Sequence, residues 1–582
     1  MSDSTGRFSA VLRRRRPLLV WLAALLISAV SNAQISHAQD TPGSNELSSS
    51  LRGTVINSVT REPIARALVF SSDNRLAAFT DDQGHFEFLL QRTETNPNRP
   101  AEGMAFYNPA AQLMARKPGF FESGSSGSSP PQSAVSDDIT IALVPEALIV
   151  GRVNLPSSNQ SDRITVQVYK RQVRDGRAVW APAANFSTRS NGEFRVANLT
   201  AGIYKIFTSE LLDRDPITFD PAGQLYGYPP TYYPAATDFA SASALTLEAG
   251  KTLEVELSPV LRPYYPVKVA ITNFPAQSGV EVSVALQGHK GPGYSLGYSG
   301  EAIEGMLPNG IYTLEATLQQ GQQTATGNMN ITVKDAPLAD VSMAVLPNGS
   351  IPVNITNERS ENSRQAIEFF SAGKFSRTQK ADILLQPVDD FDSGAPAALR
   401  PPGKPNDNDL ALVNVRPGRY WLEVNPYRGY VASAVAGSVD LLRQPLVVGA
   451  GGASLPIDIV LRDDGAAIEG TVEGMPPAPA GASAGAAMIG RIRMPAGPYV
   501  YCIPLPDSPG RFTVSTVSSE GSFQVQQIPP GAYRLLAFDR QQGDLEYRNA
   551  EAMAAYEGKG PVVHLVPGQT EHVRLTLIFS QE

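Results

Sequence analysis

The stretch SEGSFQVQQIPPGAYRLLAFD, residues 519–539, decides the fold of this chain. Gly521 predicts a turn, because glycine adopts positive φ without a steric penalty. After it, Phe523 and Val525 alternate with glutamines, a pattern typical of a strand with one buried face. The Pro-Gly pair that ends at Gly531 predicts a type II turn, and a second strand follows at once. The stretch is therefore predicted to be two strands joined by a tight turn.

The same frame recurs upstream along the chain. Its copies are SNGEFRVANLTAGIYKI, SGEAIEGMLPNGIYTL and DNDLALVNVRPGRYWL, and DDQGHFEFL keeps only the opening half. The opening positions are Gly84, Gly192, Gly300, Asn408 and Gly521, so the steps are 108, 108, 108 and 113 residues. Solenoid repeats are roughly 20 to 50 residues long, whereas about 100 residues make one β-sandwich. We therefore predict an all-β chain of five tandem immunoglobulin- or transthyretin-like β-sandwiches in an elongated array.

Alternating strands such as ITIALVP and LEVELSPV close each repeat and lead almost without linker into the next. Short junctions restrict relative motion. The predicted boundaries are a signal peptide at 1–38, a disordered leader at 39–50, and domains at 51–146, 147–261, 262–348, 349–464 and 465–582. We call these five stretches the first to fifth segments.

Some parts depart from the regular pattern. Loops rich in Gly, Pro or Ser are predicted at 124–131, 394–407 and 476–485, and a helix only near Tyr547 to Tyr556. The third copy has Ala302 and Glu304 where the second copy has Phe194 and Val196, so its core departs from the pattern of the others.

The N-terminus predicts export. Four arginines at 13–16 precede the apolar stretch PLLVWLAALLISAV, which is too short for a membrane span and typical of a secretory signal. Cleavage is expected after Ala33 or Ala38, and no transmembrane span remains. The rest carries 43 basic and 55 acidic residues, a net charge of −12, so nucleic acid is not expected as a partner.

Cysteine usage narrows the compartment. Cys502 is the single cysteine among 582 residues, so no intrachain disulfide can form, and each domain depends on its core alone. This fits the periplasm or surface of a bacterial cell better than an animal extracellular space. Cys502 lies in the apolar stretch YVYCIPL, which predicts a small buried side chain rather than a nucleophile.

The first segment carries an ordered motif. Its members are Gly53, Pro63, Ala67, Val69, Thr80, Asp82, Gly84 and Phe86. In this order they resemble the carboxypeptidase regulatory-like domain, a transthyretin-like and carbohydrate-binding-like sandwich, and the KPGF at 117–120 resembles its ending. That domain is an accessory of metallocarboxypeptidases, so the resemblance implies a fold and no catalytic activity. Two insertions, at 226–234 and after residue 544, resemble parts of multidomain secreted proteins of acidobacterial type.

The sequence offers no catalytic or metal site. Metallohydrolases need His and carboxylate ligands at short spacing, but His85, His289, His564 and His572 are scattered over three segments and are expected on exposed strands. The pairs at 81–82 and 463–464 resemble calcium-binding turns, yet calcium needs about six to eight oxygens. Aspartates that bond the backbone of a hairpin turn are the alternative. We predict no enzyme and no cofactor.

Tyrosines occur in two patterns. The recurring Tyr204, Tyr312, Tyr420 and Tyr533 follow a turn directly, which predicts a tyrosine corner whose hydroxyl bonds the local backbone. The cluster YGYPPTYYP offers a candidate ligand surface, because tyrosine rings stack on sugars. Its members are Tyr226, Tyr228, Tyr232 and Tyr233. The alternative is that these rings pack the loop onto its own sandwich.

The sequence thus predicts an exported, non-enzymatic scaffold or interaction module of the cell envelope, periplasmic or at the cell surface. Its expected partners are envelope proteins or polysaccharide. The alternative function is carbohydrate binding through the tyrosine cluster.

Overall fold

A computed structural model describes most of the chain. The described residues are 49–71, 75–90, 113–122, 134–135, 138–155, 163–213, 224–273, 279–321, 323–358, 381–391, 397–400, 410–452, 454–475, 498–506, 508 and 512–579. The predicted signal peptide, nearly all of the leader, the loops at 124–131 and 476–485, most of the loop at 394–407, and Asn408 lie outside them. Apart from Ser49, where the first strand begins, all described residues belong to the unit Ser50–Glu582.

The first two segments contain sixteen of the described strands. In the first these are β1 (Ser49–Asn57), β2 (Leu68–Ser71), β3 (Ala77–Phe79), β4 (His85–Leu90), β5 (Leu113–Arg116), β6 (Ala134–Val135) and β7 (Asp138–Leu143). In the second they are β8 (Ala147–Val153), β9 (Thr165–Arg174), β10 (Arg177–Ser187), β11 (Glu193–Leu199), β12 (Gly202–Thr208), β13 (Leu211–Leu212), β14 (Leu225–Tyr228), β15 (Leu245–Leu247) and β16 (Thr252–Leu257).

The third and fourth segments contain seventeen more. In the third these are β17 (Arg262–Thr272), β18 (Gly279–Leu286), β19 (Gly297–Tyr298), β20 (Ala302–Pro308), β21 (Gly310–Gln320), β22 (Gln323–Val333), β23 (Leu338–Ala344) and β24 (Leu346–Pro347). In the fourth they are β25 (Gly349–Glu358), β26 (Ala381–Pro387), β27 (Ala397–Arg400), β28 (Leu410–Val415), β29 (Gly418–Pro426), β30 (Tyr430–Ala436), β31 (Val439–Asp440), β32 (Leu446–Val448) and β33 (Ile457–Arg462).

The fifth segment completes the all-β multidomain chain. Its strands are β34 (Ala466–Glu473), β35 (Tyr499–Pro504), β36 (Thr513–Thr516), β37 (Ser522–Ile528), β38 (Gly531–Phe538), β39 (Val562–Leu565) and β40 (Thr570–Ile578). The helix predicted near Tyr547 to Tyr556 is the short α1 (Ala550–Ala554), where Asn549 accepts hydrogen bonds from the N–H groups of Glu551 and Ala552.

The first three segments each pair two sheets. The sheet orders are β4-β1-β7-β6 with β3-β2-β5, β10-β9-β12-β15 with β11-β8-β16, and β23-β17-β20-β19 with β18-β21-β22-β24. The strands β14 and β13 of the second segment extend the third segment's first sheet, because β14 also pairs with β17. In the fourth segment β27 joins the two halves into one nine-stranded sheet, and the fifth segment has one sheet of seven strands. Opening and closing strands of a segment pair in parallel, as β8 does with β16.

Each segment has its own hydrophobic core. One cluster of buried residues lies within each of 55–143, 147–257, 267–345, 351–461 and 466–577. None of these clusters crosses a predicted boundary. Burial of apolar surface, at about 25 cal/mol per Å², therefore stabilises each segment through its own strands.

In three segments, a glycine on the first strand of the segment packs against a phenylalanine. A Cβ added to Gly151 would lie 2.7 Å from the Phe194 ring and 2.1 Å from the Val255 carbonyl oxygen. The same holds for Gly53 beneath Phe86 and Gly470 beneath Phe523, so only glycine fits under the ring.

The remaining two segments fill this position differently. Leu410 replaces the phenylalanine in the fourth segment and lies opposite Val353. In the third segment Ala302 lies opposite Ala270. Val353 and Leu410 together carry as many side-chain carbons as glycine and phenylalanine, whereas the two alanines carry far fewer. The third segment therefore fills its core with other side chains, among them Ile303, Leu307 and Leu314.

The turns agree only partly with the sequence. Gly84, Gly192, Gly300 and Gly521 have positive φ, as predicted. The predicted type II turn at Gly531 is wrong, because its φ is 152°, far from the roughly +80° of that turn type. A Cβ at the equivalent Gly310 would lie 3.0 Å from the ring of Tyr312, so this glycine makes room for the tyrosine.

The tyrosine corner is confirmed. The hydroxyl of Tyr204 donates to the Thr200 carbonyl at 2.6 Å, and that of Tyr533 to the Pro529 carbonyl at 2.6 Å. Tyr312 and Tyr420 make the same bond to the carbonyl four residues earlier. All four rings are buried, so each joins its core to the preceding turn.

Candidate functional site

The four candidate tyrosines do not share one face. Tyr228 is fully buried in the core of the second segment, whereas Tyr226 is 40% exposed. Both lie on β14, which pairs with β17 of the third segment, so that Tyr226 is opposite Pro263. This part of the cluster therefore joins two segments through a shared sheet.

Tyr232 belongs to an aromatic cluster. It is 3% exposed, stacks on Phe207 with ring centroids 4.8 Å apart, and donates its hydroxyl hydrogen to the Pro292 carbonyl. Phe239 lies edge-on to both rings, and Phe391 of the fourth segment lies 4.7 Å from Phe239. These surroundings support packing, the alternative to ligand binding, for this tyrosine.

A buried lysine fixes this loop. The Lys205 ammonium donates to the Phe239 and Ala240 carbonyls at 2.7 and 3.1 Å, and it lies 5.1 Å from the centre of the Trp180 ring. Burial lowers the pKa of Lys205, and nearby Asp238 partly offsets this. The contacts hold the residues after the tyrosine cluster against β12.

Tyr233 lies beside an open groove. It is half-buried, and with the exposed Pro234 it borders a cavity of about 870 Å³. The other lining residues belong to β8, β11, β16 and the adjoining turns. The groove therefore crosses the outer face of the sheet β11-β8-β16.

Charged side chains form two rows across this face. In one row Glu193, Arg152 and Glu256 lie side by side on β11, β8 and β16. In the other, Arg195 and Glu254 flank Val150. Arg189, at the turn before β11, completes the lining. We call this set, with Tyr233 and Pro234, the charged groove.

These charges do not neutralise one another by direct contact. Within the described part of the chain, no salt bridge within 4.0 Å joins the arginines and glutamates of the charged groove. Glu256 accepts a hydrogen bond from Asn154 instead. On the corresponding face of the first segment, Arg52 and Glu87 do pair, at 2.8 Å. The second segment therefore keeps hydrogen-bonding groups directed to solvent.

A half-buried carboxylate, that of Glu210, lies where the second segment meets the third. Ser295 donates to Glu210 Oε1 at 3.1 Å, and the buried Glu210 Oε2 and the buried Tyr264 hydroxyl interact with each other. Burial raises the pKa of Glu210 to about 7, against the opposing effect of the Ser295 hydrogen bond. Burial, together with the nearby charge of Glu210, raises the pKa of Tyr294 to about 12.

The other chemical candidates make structural contacts. Burial raises the pKa of Cys502 to about 12, so its thiol is the inert, buried group that was predicted. Asp81 accepts hydrogen bonds from the backbone N–H groups of Gln83 and His85 at 2.9 and 2.8 Å, as expected for a hairpin turn. Asp464 accepts from Tyr430 and Arg462.

The histidines lie apart. His85, His289, His564 and His572 are exposed, as predicted. Across the described ranges, no group of three or more His, Cys, Asp or Glu side chains is placed to hold a metal ion. In the same part of the chain, no helix is long and apolar enough to cross a membrane.

Sequence reasoning missed the charged groove and Glu210. Single charged residues that alternate with apolar ones on a strand are the ordinary signature of an exposed sheet face. The register that brings three strands together is not visible in any one of them. Among the residues of the charged groove, the sequence pattern indicated Tyr233 as a ligand-binding candidate, because it belongs to the tyrosine cluster.

No family model matches the chain, and a search of curated proteins finds no match. Solved structures similar to it include the Bacillus anthracis TIE protein, with 8% identity, 74% of each chain covered and a TM-score of 0.14. A streptococcal ancillary pilin has 12% identity over 55% of this chain and 99% of its own, with a TM-score of 0.18. BcpA, the major pilin subunit of Bacillus cereus, has 10% identity over 74% and 99%, with a TM-score of 0.13. TM-scores this low carry no weight for function.

Proposed function

We propose that this chain is an exported, non-enzymatic β-sandwich protein of the bacterial cell envelope that acts as a scaffold or interaction module. The observation that carries the proposal is a contact between residues about 375 positions apart in the sequence. In it, the hairpin of β9 and β10 in the second segment is held by the fifth and fourth segments. A fixed arrangement of separate domains suits a protein that presents partners at set positions.

The contact with the fifth segment is polar and specific. Arg171 forms a two-bond ion pair with Glu546, whose side chain is only 9% exposed. Asp175 at the hairpin tip accepts hydrogen bonds from Tyr547 and, at 2.9 Å, from Arg548. Two-bond arginine–carboxylate pairs fix geometry as well as adding energy. We call these five residues, with Gly176, the hairpin contact.

Gly176 brings the two segments into close contact. Its φ is 70°, its carbonyl accepts from the Arg548 backbone N–H at 3.1 Å, and a Cβ there would lie 2.6 Å from the Tyr547 ring. Tyr547 in turn stacks on Phe512 at 4.1 Å. The hairpin tip therefore reaches an aromatic cluster that belongs to the fifth segment.

The fourth segment holds the other side of the hairpin. The Arg177 guanidinium lies 3.8 Å from the centre of the Trp421 ring, and the Trp180 backbone N–H donates to Asp390 at 3.1 Å. Phe391 adds apolar contact with Tyr169. Cation–π contacts of this kind contribute about 0.5 to 2 kcal/mol. An arrangement in which each domain touches only its neighbours in sequence does not produce these contacts.

The hairpin contact is tested by the double variant Arg171→Ala, Asp175→Ala in the chain of residues 39–582. We expect faster hydrogen exchange in peptides covering 541–556, because three charged or aromatic side chains there lose their partners. The matched control is Lys268→Ala, Glu304→Ala, an exposed ion pair inside the third segment. Exchange that is equally unchanged in both variants would refute the fixed arrangement.

The scaffold function needs its own test. Immobilised chain should capture a defined set of proteins or polysaccharides from the cell envelope of the producing bacterium. The hairpin variant should capture fewer of them, since partners would no longer meet a fixed arrangement. Hydrolysis of peptides or glycosides by the purified chain would contradict the non-enzymatic part of the proposal.

We further propose three features that the sequence predicts. They are the five domain boundaries, the placement in the periplasm or at the cell surface, and the resemblance to carboxypeptidase regulatory-like domains. Supporting the resemblance is the packing of Gly53 beneath Phe86, two members of its motif. Small-angle X-ray scattering of residues 39–582 tests the elongated array. The contacts of the second segment with the fourth and fifth shorten the array relative to five domains placed end to end, but its maximum dimension should still exceed that of a sphere of equal mass.

Carbohydrate binding is the second proposal. What favours it is the charged groove, where Tyr233 and Pro234 border exposed hydrogen-bonding groups. Two of the four candidate tyrosines, Tyr228 and Tyr232, are excluded as sugar-binding residues. Both are buried, so they could stack on a sugar only if this part of the chain unfolded. A glycan array comparing the native chain with Tyr233→Ala tests this proposal.

A further inference from the structure

The charged groove has the composition of a site for sugar hydroxyl groups. Its six charged side chains are exposed and divide equally into three arginines and three glutamates: Arg152, Arg189, Arg195, Glu193, Glu254 and Glu256. Arginine only donates hydrogen bonds and ionised glutamate only accepts them. A hydroxyl group does both, so a ligand rich in hydroxyls can bond to both kinds of side chain.

From this composition we infer that the charged groove binds a neutral polysaccharide chain, with Tyr233 stacked on one sugar ring and the two charged rows bonded to hydroxyl groups. The inference rests on the proposed carbohydrate binding and adds the ligand class and the contacting residues. The cavity, of about 870 Å³, lies within the range of about 300 to 1,000 Å³ usual for ligand sites.

The balance of charge selects a neutral ligand. A polyanion would meet the three arginines but also three glutamates within the same rows, and like charges close together disfavour binding. A polycation would be attracted by the three glutamates but repelled by the three arginines. A neutral chain carries no such penalty, and its ring faces suit the aromatic and proline rim.

A peptide fits the charged groove less well. Peptides gain most of their affinity from apolar anchors in pockets or from pairing with an exposed sheet edge. The groove lies on the face of the sheet, and Phe194 and Val255 beneath it are buried. Among its lining residues, the accessible apolar groups are those of Val150, Tyr233 and Pro234.

The inference is tested by affinity electrophoresis of residues 39–582 in gels that contain xyloglucan, glucomannan or dextran, with polygalacturonate as the anionic gel. We expect at least one neutral polysaccharide to retard the chain. Arg195→Ala, Glu254→Ala should raise the dissociation constant about tenfold or more, because one of the two rows is lost. Tyr233→Ala should weaken binding similarly, whereas Tyr233→Phe keeps the ring and should bind like the native chain.

The matched control is Arg52→Ala, Glu87→Ala, which removes the paired charges from the corresponding face of the first segment. It should bind as the native chain does. Hydrogen exchange in the core of the second segment shows whether each variant is folded. Retardation by polygalacturonate alone, selection of the groove by displayed peptides, no retardation in any gel, or unchanged binding of the folded Arg195→Ala, Glu254→Ala variant would each overturn the inference. The tests of the hairpin contact do not involve the groove, so they stand or fall separately.

Discussion

The half-buried carboxylate of Glu210 predicts a pH-dependent junction between the second and third segments. Burial raises the pKa of Glu210 from 4.5 to about 7. Each unit of difference between the pKa in the folded state and the pKa in the unfolded state corresponds to about 1.4 kcal/mol. Ionising Glu210 therefore costs on the order of 3 kcal/mol more in the folded junction than in the open one. This is a large share of the stability of a typical domain, about 5 to 15 kcal/mol.

The sign follows from proton linkage. The folded-state pKa of Glu210 lies above the unfolded value, so between pH 4.5 and about 7 the folded state holds more protons. The stabilising contribution is complete below pH 4.5 and is lost as the pH rises through about 7. Glu210→Gln keeps the size of the side chain and its acceptor for Ser295 but cannot ionise, so this dependence should disappear.

Hydrogen exchange measured by mass spectrometry is the suitable assay, because a chain of several domains does not unfold in one transition. Peptides from β12 to residue 213 and from 290–299 should open more easily at pH 8 than at pH 5 in the native chain, after correction for intrinsic exchange. Glu210→Gln should remove most of that difference. Glu248→Gln, an exposed carboxylate of the same segment, should not. Equal pH dependence in all three proteins would refute the reasoning.

Packing leads to three further predictions. Gly151→Ala should cost about 1 to 3 kcal/mol through overpacking against the Val255 carbonyl oxygen and the Phe194 ring. Phe194→Leu in the same chain should recover the part due to the ring, as hydrogen exchange in the core of the second segment would detect; additive losses would contradict the pairing. Tyr533→Phe removes the hydroxyl bond to Pro529 and should cost about 1 kcal/mol, with unchanged hydrogen exchange in the core of the fifth segment as the contrary result. Cys502, whose pKa burial raises to about 12, should react with Ellman's reagent in urea but not in the native chain, and rapid native labelling would show that the thiol is accessible.

Local rules explain which features the sequence predicted. Positive φ at Gly521 and the hydroxyl bond of Tyr533 depend on residues within a few positions of each other. The spacing of repeats then extends these features to the other segments. The type II turn at Gly531 failed because Gly531 is the first residue of β38 and pairs with Leu565, so strand pairing rather than the turn sets its conformation.

Features that depend on distant residues were not predictable in the same way. Asp175 gives no local sign that Arg548 will be its partner, and the sequence around Glu210 gives none that Ser295 of the next segment will be its hydrogen-bond donor. The tyrosine cluster was recognised, but its division between core and surface depends on how the loop folds against Phe207. Composition fixes the residue types available, whereas tertiary packing decides which of them remain accessible.

The glycine beneath the phenylalanine ring limits how these repeats can be recombined. A hairpin taken from the second segment brings Phe194 with it, and its ring would collide with Val353 in the fourth segment, whose native partner there is Leu410. Exchange of modules between repeats thus requires that two strands, far apart in the gene, change together. Protein engineers who build chimaeras from this chain should transplant the opening strand along with the hairpin.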